Sequence, residues 1–222
     1  MKPTQRHLPI QKLAAIASLA GSLVTNAQVV TFSFTGAAGN EATFAPDSQP
    51  ANGTVSSISR GAGLTAVATA DVFNSSGFST TTRDTSDYYS VSIEPQLGYT
   101  MSLTRIELDE RRSGTGIRDW SIYSSVDGFT SALASFNVLD NTSTRLNQGV
   151  NLNAANFASL TSSVEFRIYG FTAEAAGGTW RVDNLEIFGS FDASPVPEPS
   201  TYAGFAGALL LGFGVWRRSR QS

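Results

Sequence analysis

Residues 99–112 read YTMSLTRIELDERR, and apolar and polar side chains alternate along this stretch. The apolar residues fall on odd positions as far as Leu103 and on even positions from Ile106 onward. A period of two is typical of a β-strand with one buried face. The change of phase at Thr104-Arg105 predicts a β-bulge, in which one strand carries an extra residue. The stretch therefore predicts a strand that contains a bulge.

The same alternation recurs between residues 28 and 193, where long amphipathic helical stripes are absent. About eight or nine strands, separated by Gly, Ser and Asn turns, predict an all-β fold: a two-sheet β-sandwich of jelly-roll type. A second change of phase at Asp183-Asn184 predicts a second bulge. We expect the first and last strands to be neighbours. The alternating segments are residues 30–34, 64–73, 89–93, 99–108, 120–122, 136–138, 164–168 and 180–187.

One short segment, residues 153–160, has helical rather than strand spacing. Asn153 precedes it and is a favoured N-cap residue, because its side chain can accept a hydrogen bond from a free amide of the first turn. Ala154, Phe157 and Leu160 would line one face. The segment predicts a helical turn or short helix.

The absence of two residue types excludes several kinds of site. The chain has no cysteine, and its single histidine is His7. Disulfides and Cys-based zinc sites are therefore excluded. Between residues 28 and 193 a Ser-His-Asp triad, a Cys-His dyad and any His-ligated metal are excluded as well.

Charge is distributed unevenly along the chain. Residues 28–192 contain nine arginines, no lysine and seventeen acids, which gives a net charge of −8. A domain this acidic is unsuited to nucleic acid or to an anionic lipid surface, so we expect no nucleic-acid partner. An acidic exterior suits a soluble extracellular domain.

The N-terminus has the composition of a secretory signal peptide. Basic residues precede an apolar stretch at residues 13–24, and a small residue, Ala27, stands at the end of the following segment. Cleavage after Ala27 would make Gln28 the first residue of the mature protein. We therefore expect residues 1–27 to be a signal helix that directs export across the inner membrane.

The C-terminus has three parts that together are typical of a membrane sorting signal. A rigid proline-rich break precedes an apolar helix, and a basic cluster follows it. The helix would rise only ~24 Å at 1.5 Å per residue, against a bilayer core of ~30 Å, so it spans marginally. The parts are, in order, Pro197-Glu198-Pro199, the transmembrane helix 201–216, and Arg217, Arg218 and Arg220.

These last twenty-six residues resemble the PEP-CTERM family of exosortase substrates. The resemblance implies a Gram-negative bacterium that makes extracellular polysaccharide. It also implies an exosortase-type membrane protease as a partner, which removes the tail and releases the body to the cell surface or matrix. We thus divide the chain into a signal peptide (1–27), a β-sandwich domain (28–193) and a sorting signal (194–222).

Short stretches of the body look like the uncharacterised jelly-roll domains that often precede PEP-CTERM tails. The closing strand, Trp-Arg-Val-Asp-Asn-Leu at residues 180–185, is also similar to the last strand of many carbohydrate-binding sandwiches. This resemblance implies the fold rather than a function. The stretches concerned are residues 103–113, 124–129, 166–170 and 178–185.

Three acids in one strand raise the question of catalysis. Glu107 and Asp109 would share a strand face, Glu110 follows, and two carboxylates can hydrolyse a glycosidic bond. Arginines 111 and 112 come next, and a charged strand end with local ion pairs is the commoner explanation of such a run. We therefore expect no catalytic residues and a protein that is not an enzyme, although the sequence leaves a glycosidase open.

Two further sites are predicted in the body. Glu41 follows the first strand and Asp183 lies in the last strand, so their oxygens could share a structural calcium ion, and the sequence suggests no other cofactor. The alternative for Asp183 and its neighbour is hydrogen bonding across a bulge. Tyr88 and Tyr89 form the candidate carbohydrate site, because consecutive strand residues face opposite sides and one of the two should point outward.

The sequence thus predicts an exported cell-surface or matrix protein, held transiently in the membrane during sorting. In one hypothesis its body is non-enzymatic. In the alternative it is a carbohydrate-binding module for extracellular polysaccharide, with calcium as a structural ion. Export and sorting are common to both hypotheses.

Overall fold

A computed structural model describes residues 27–140 and 142–194. These residues form thirteen strands, one four-residue helix and a 3₁₀ turn at Ser125–Asp127, so the all-β prediction is confirmed. The strands are β1 Ala27–Phe32, β2 Thr43–Phe44, β3 Gly53–Val55, β4 Ile58–Arg60, β5 Thr65–Ala66, β6 Phe73–Ser76, β7 Tyr88–Pro95, β8 Tyr99–Arg112, β9 Asp119–Ser124, β10 Ala134–Asn137, β11 Arg145–Asn151, β12 Val164–Phe171 and β13 Trp180–Ala193, and the helix is α1 Ala154–Phe157.

The first sheet is built around two long antiparallel strands, β8 and β13, of fourteen residues each. Its order is β11-β8-β13-β6-β5, and β1 pairs with β13 along the same edge as β6. The first and last strands are therefore neighbours, as expected.

The second sheet has the order β10-β9-β12-β7-β4-β2, with β3 paired to β7 beside β4. Its central strands β9, β12 and β7 are antiparallel to one another. All strand pairs of both sheets are antiparallel, and the buried faces of the two sheets form one core. This arrangement confirms the two-sheet sandwich.

Both predicted bulges are present in the β8–β13 ladder. Phe188 pairs with Arg105 and the next residue pairs with Leu103, so Thr104 is the extra residue of β8. On β13 the register shifts between Asp183 and Glu186, and Asn184 adopts a positive φ of 43°. Each bulge adds one residue, so the apolar side chains before and after it face the same core although their sequence positions change phase.

Aromatic residues dominate the core between the sheets. Trp120 and Trp180 are fully buried, with ring centroids 5.6 Å apart. Tyr89 stacks on Trp180 at 5.5 Å, and Phe78 meets Trp180 edge-on at 5.8 Å. Large rigid rings bury much apolar area each, so a domain without disulfides obtains its stability from this cluster.

The strand prediction for residues 64–73 is wrong in its length. Only Thr65–Ala66 and the final residue, Phe73, belong to strands. The intervening backbone amides bond to a loop instead: Thr69 N donates to Ala38 O and Asp71 N donates to Ala37 O. None of the intervening residues 67–72 is buried, so no buried apolar face stabilises a strand there. Strands β2, β3, β4 and β11 were not predicted.

The predicted helical segment is confirmed as α1. The Asn153 side chain accepts a 3.0 Å hydrogen bond from Ala155 N, as an N-cap should. Phe157 is buried and packs against Phe166 at 6.1 Å. Leu160 follows and forms an isolated bridge with Met101, which ties the segment to β8.

Four predicted features lie outside the described residues. They are the signal peptide up to residue 26, the helix 201–216, the motif Pro197-Glu198-Pro199, and Arg217, Arg218 and Arg220. Within residues 27–140 and 142–194 no helix has the length and apolar character needed to cross a membrane.

Candidate functional site

The predicted pair Tyr88 and Tyr89 divides between the outside and the core. Tyr89 is fully buried, and its hydroxyl donates a 2.8 Å hydrogen bond to the carbonyl of Trp180. Tyr88 is half-buried on the outer face of the second sheet. The prediction that one of the two points outward is confirmed, and Tyr88 is the residue available to a ligand.

Two more tyrosines lie beside Tyr88 on this outer face. Tyr169 pairs with Tyr88 across the β12–β7 ladder, with ring centroids 5.3 Å apart. Tyr123 on β9 meets Tyr169 at 5.4 Å, nearly edge to face. We name the group Tyr88, Tyr123 and Tyr169 the tyrosine face. It extends over three adjacent strands, because alternation places all three side chains on the same side of the sheet.

Two arginines lie over these rings. The Arg83 guanidinium carbon is 4.2 Å from the centroid of Tyr123 and 4.9 Å from that of Tyr169. The Arg167 guanidinium carbon lies 4.7 Å from the ring centroid of Tyr88 and 4.0 Å from that of Phe129. Stacking of this kind attracts the cation to the ring and fixes its orientation.

The two arginines differ in their other partners. Arg167 Nε donates a 2.7 Å hydrogen bond to Glu165, and this bond raises the pKa of Arg167. Arg83 has no side-chain hydrogen bond or ion pair with the residues that the structure describes. The Arg83 N–H groups therefore lie over the rings of Tyr123 and Tyr169 without a hydrogen-bond acceptor among the described residues. Such a surface can bind polar, ring-shaped ligands.

The predicted pair supplies only Tyr88 to this face. Its other members, Tyr123, Tyr169, Arg83 and Arg167, lie outside that pair, and the two arginines carry no motif. The period of two in residues 164–171 places Arg167 and Tyr169 on one face, which was an available signal. Arg83 reaches the face from a loop, and no local pattern predicts that contact.

Glu41, one predicted calcium ligand, is hydrogen-bonded to backbone amides through its carboxylate. Its two carboxylate oxygens accept hydrogen bonds from Ala38 N and, at 2.9 Å, from Gly39 N. Desolvation raises the pKa of Glu41. The backbone hydrogen bonds and the nearby positive charge of Arg60 outweigh it, so the pKa lies below its ordinary value. The carboxylate thus closes the turn that it follows.

Asp183, the other predicted ligand, lies at the β13 bulge. Its Oδ1 accepts a 2.9 Å hydrogen bond from Asn184 N, the bulge contact considered as the alternative to calcium. Burial raises the pKa of Asp183, and the charges of Asp109 and Asp71 raise it further. Across the described residues, no group of three or more acids is placed to hold a metal ion. Calcium stays a prediction.

The three acids of β8 have structural partners. Glu107 pairs with Arg105, and Asp109 accepts 2.7 Å and 2.9 Å hydrogen bonds from Asn147 N and the Asn184 side chain. Glu110 points into the core, where it accepts a 2.6 Å hydrogen bond from the Trp180 indole. Its other oxygen pairs with Arg145. Each acid therefore stabilises a strand, a bulge or the core.

The comparison with protein families concerns the C-terminus. Residues 195–219 match the PEP-CTERM protein-sorting motif, and this confirms the resemblance based on Pro197-Glu198-Pro199 and the basic cluster. No curated protein matched the chain. The motif implies export, membrane anchoring at the C-terminus during sorting, processing by an exosortase and then extracellular placement.

Proposed function

We propose that this protein is an exported, non-catalytic component of the cell surface or extracellular matrix, processed by an exosortase. The observation that carries the proposal is the position of the sorting motif. It begins at residue 195, two residues after the last strand of the sandwich ends at Ala193. A folded domain is thus followed directly by the segment that the protease recognises.

The contacts of the body support a non-catalytic role. A glycosidase needs two carboxyl groups that face the same bond, one of them free to give a proton. In β8, Glu107 is paired with Arg105, Asp109 accepts two hydrogen bonds, and Glu110 is buried against Trp180. Using any of these acids for proton transfer would disrupt a structural contact.

Fractionation of the native host tests this proposal. We expect the processed protein in the surface or medium fraction, with no release of reducing sugar when it is incubated with a panel of polysaccharides. A form found only in the cytoplasm would contradict export, and hydrolysis of any polymer would contradict the non-catalytic role.

A second candidate function is carbohydrate binding by the body. The observation that favours it is the tyrosine face, where the half-buried Tyr88 and Tyr123 flank the buried Tyr169 on the outer side of three strands, with Arg83 and Arg167 stacked on the rings. Aromatic rings bind the apolar faces of sugars, and guanidinium N–H groups donate to their hydroxyls. An extracellular protein of this kind would attach to the polysaccharide around the cell.

A glycan array with matched variants tests the second candidate. We expect Tyr88→Ala and Tyr123→Ala to weaken binding at least tenfold and Leu97→Ala to leave it unchanged. Leu97 is the control because it is a fully exposed apolar residue in the β7–β8 turn. Equal binding by all three variants, or no bound glycan, would contradict carbohydrate binding by this face.

A further inference from the structure

Two arginines of the body have no side-chain partner among residues 27–140 and 142–194. Seven of its nine arginines form ion pairs, hydrogen bonds or contacts with aromatic rings. Arg111 and Arg181 make none of these contacts through their side chains within the described part of the chain, and the Arg111 Nε atom is buried without an acceptor. In a domain with seventeen acids and nine arginines, two unpaired cations require an explanation.

The two unpaired arginines face each other. Arg181 on β13 is the direct register partner of Arg111 on β8, so both side chains lie on the outer face of the first sheet. Cβ atoms of such partners are ~5 Å apart, and like charges in this arrangement are destabilising. Burial lowers the pKa of Arg181, and the Arg111 charge lowers it further. An anion between the two guanidinium groups would relieve this repulsion.

A small cavity lies at the pair. It has a volume of about 30 Å³, which is room for one or two water molecules or for the head group of a ligand. Its lining residues are Val72, Glu110, Arg111, Thr144, Arg181 and Asp183.

The neighbouring residues limit the charge of the anion. On the same face of the ladder, the next register pair is Asp183 with Asp109, and the following one, beyond the bulge, is Glu186 with Glu107. These acids would repel a doubly charged phosphate or sulfate more strongly than a singly charged group. A planar carboxylate carries one charge and matches the geometry of guanidinium N–H groups.

We propose that Arg111 and Arg181 together form a binding site for a carboxylate, namely that of a uronic acid residue in an acidic polysaccharide. The carboxylate part of the proposal stands on the arginine pair alone. The choice of a sugar acid as its carrier rests on the proposed extracellular function. The site lies on the first sheet and is therefore separate from the tyrosine face of the second sheet.

Thermal unfolding of the full chain in a nonionic detergent tests the site. The ligands are sodium acetate, sodium glucuronate, sodium chloride and uncharged methyl glucoside, with the three salts at equal ionic strength. At a hundredfold excess over the dissociation constant, we expect acetate and glucuronate to raise the midpoint by about 5–10 °C. Chloride and methyl glucoside should leave the midpoint unchanged.

Substitutions test whether Arg111 and Arg181 cause the shift in the unfolding midpoint. Arg111→Gln and Arg181→Gln should lose the shift with acetate, and without ligand they should unfold at or above the wild-type temperature because the repulsion is gone. Arg83→Gln, which removes a loop arginine that stacks on the tyrosine face of the other sheet, should retain the acetate shift. A shift that persists in Arg111→Gln and Arg181→Gln, or an equal shift with chloride, would overturn the site.

The two parts of the proposal fail separately. A shift with acetate but not with glucuronate would contradict the sugar acid and keep the carboxylate site. No shift with either would overturn the carboxylate site, whatever fractionation shows about sorting.

Discussion

The hydroxyl of Tyr89 on the second sheet donates a 2.8 Å hydrogen bond to the carbonyl of Trp180 on the first. The same two rings stack at 5.5 Å, and Trp180 in turn donates its indole N–H to Glu110 at 2.6 Å. This chain of contacts crosses the sandwich and links its two sheets by polar bonds inside an apolar core. Polar bonds of this kind fix the relative position of the sheets.

The first prediction concerns this hydroxyl. Tyr89→Phe should lower the free energy of unfolding by about 1 kcal/mol, because it removes one buried hydrogen bond while it keeps the ring. Tyr88→Phe is the matched control and should have little effect, since Tyr88 lies on the outer face. Urea denaturation measures both, and equal effects of the two variants would contradict the role of the bond.

The same residue predicts a response to high pH. Burial raises the pKa of Tyr89 above the value of about 10 that tyrosine has in an unfolded chain. The stability that comes from keeping Tyr89 neutral is complete below pH ~10 and is lost as the pH rises above it. The wild type should therefore lose more stability than Tyr89→Phe between pH 9 and roughly 11. Parallel losses would contradict this assignment.

The second prediction concerns Glu110, whose side chain is fully buried. Glu110→Ala should lower the free energy of unfolding by about 3–5 kcal/mol, because it leaves Arg145 and the Trp180 indole without their partner. Glu94→Ala removes an exposed acid from the end of β7 and should cost little. A small effect of Glu110→Ala in urea denaturation would show that Arg145 and Trp180 find other partners.

The third prediction concerns the acids that face each other on the first sheet. Burial raises the pKa of Glu186, and the charges of Glu107 and Asp109 raise it further. Ionised Glu186 therefore destabilises the fold. Glu186→Gln should raise the free energy of unfolding at pH 7 by about 0.5 kcal/mol, measured by urea denaturation. The gain should fade as the pH falls through the raised pKa of Glu186 and should be absent below pH ~4, where the carboxyl is neutral in the folded and unfolded wild type. A gain that is independent of pH would contradict the electrostatic explanation.

The sequence predicted the centre of the fold better than its edges. The sequence predicted strands in β8 and β13 because burial of one face forces apolar and polar residues to alternate. It predicted both bulges because each shifts the phase of that alternation. β11 was missed because its residues are half-buried or exposed, so its side chains show no apolar face. The two-residue strands β2 and β5 make only two register pairs each, at the ends of the sheets, and are too short to show an alternating pattern.

Long-range contacts limited the prediction of sites. Strand alternation predicted that one of Tyr88 and Tyr89 points outward. Arg83, in contrast, reaches the tyrosine face from a loop, where no alternation applies. Similarly, Arg111 and Arg181 are seventy residues apart, and only the β8–β13 register brings them together. Neither contact has a local signature in the sequence.

The fourth prediction concerns the sorting motif. Proline fixes φ near −65° and biases the preceding residue towards extended geometry, so Pro197 and Pro199 should hold Glu198 in the extended form that proteases bind. Replacing Pro197-Glu198-Pro199 with Ala-Ala-Ala should make unprocessed protein accumulate in the membrane while export continues. Immunoblots of membrane and medium fractions measure this, and equal processing of mutant and wild type would reduce the motif to a linker.

The most direct test of sorting is the intact mass of the protein recovered from the native host's surface or medium. We predict a chain that begins near Gln28, which keeps nearly all of β1 in place on β13, and that lacks the segment after Ser200. Recovery of only a full-length, C-terminally anchored form would contradict processing by an exosortase.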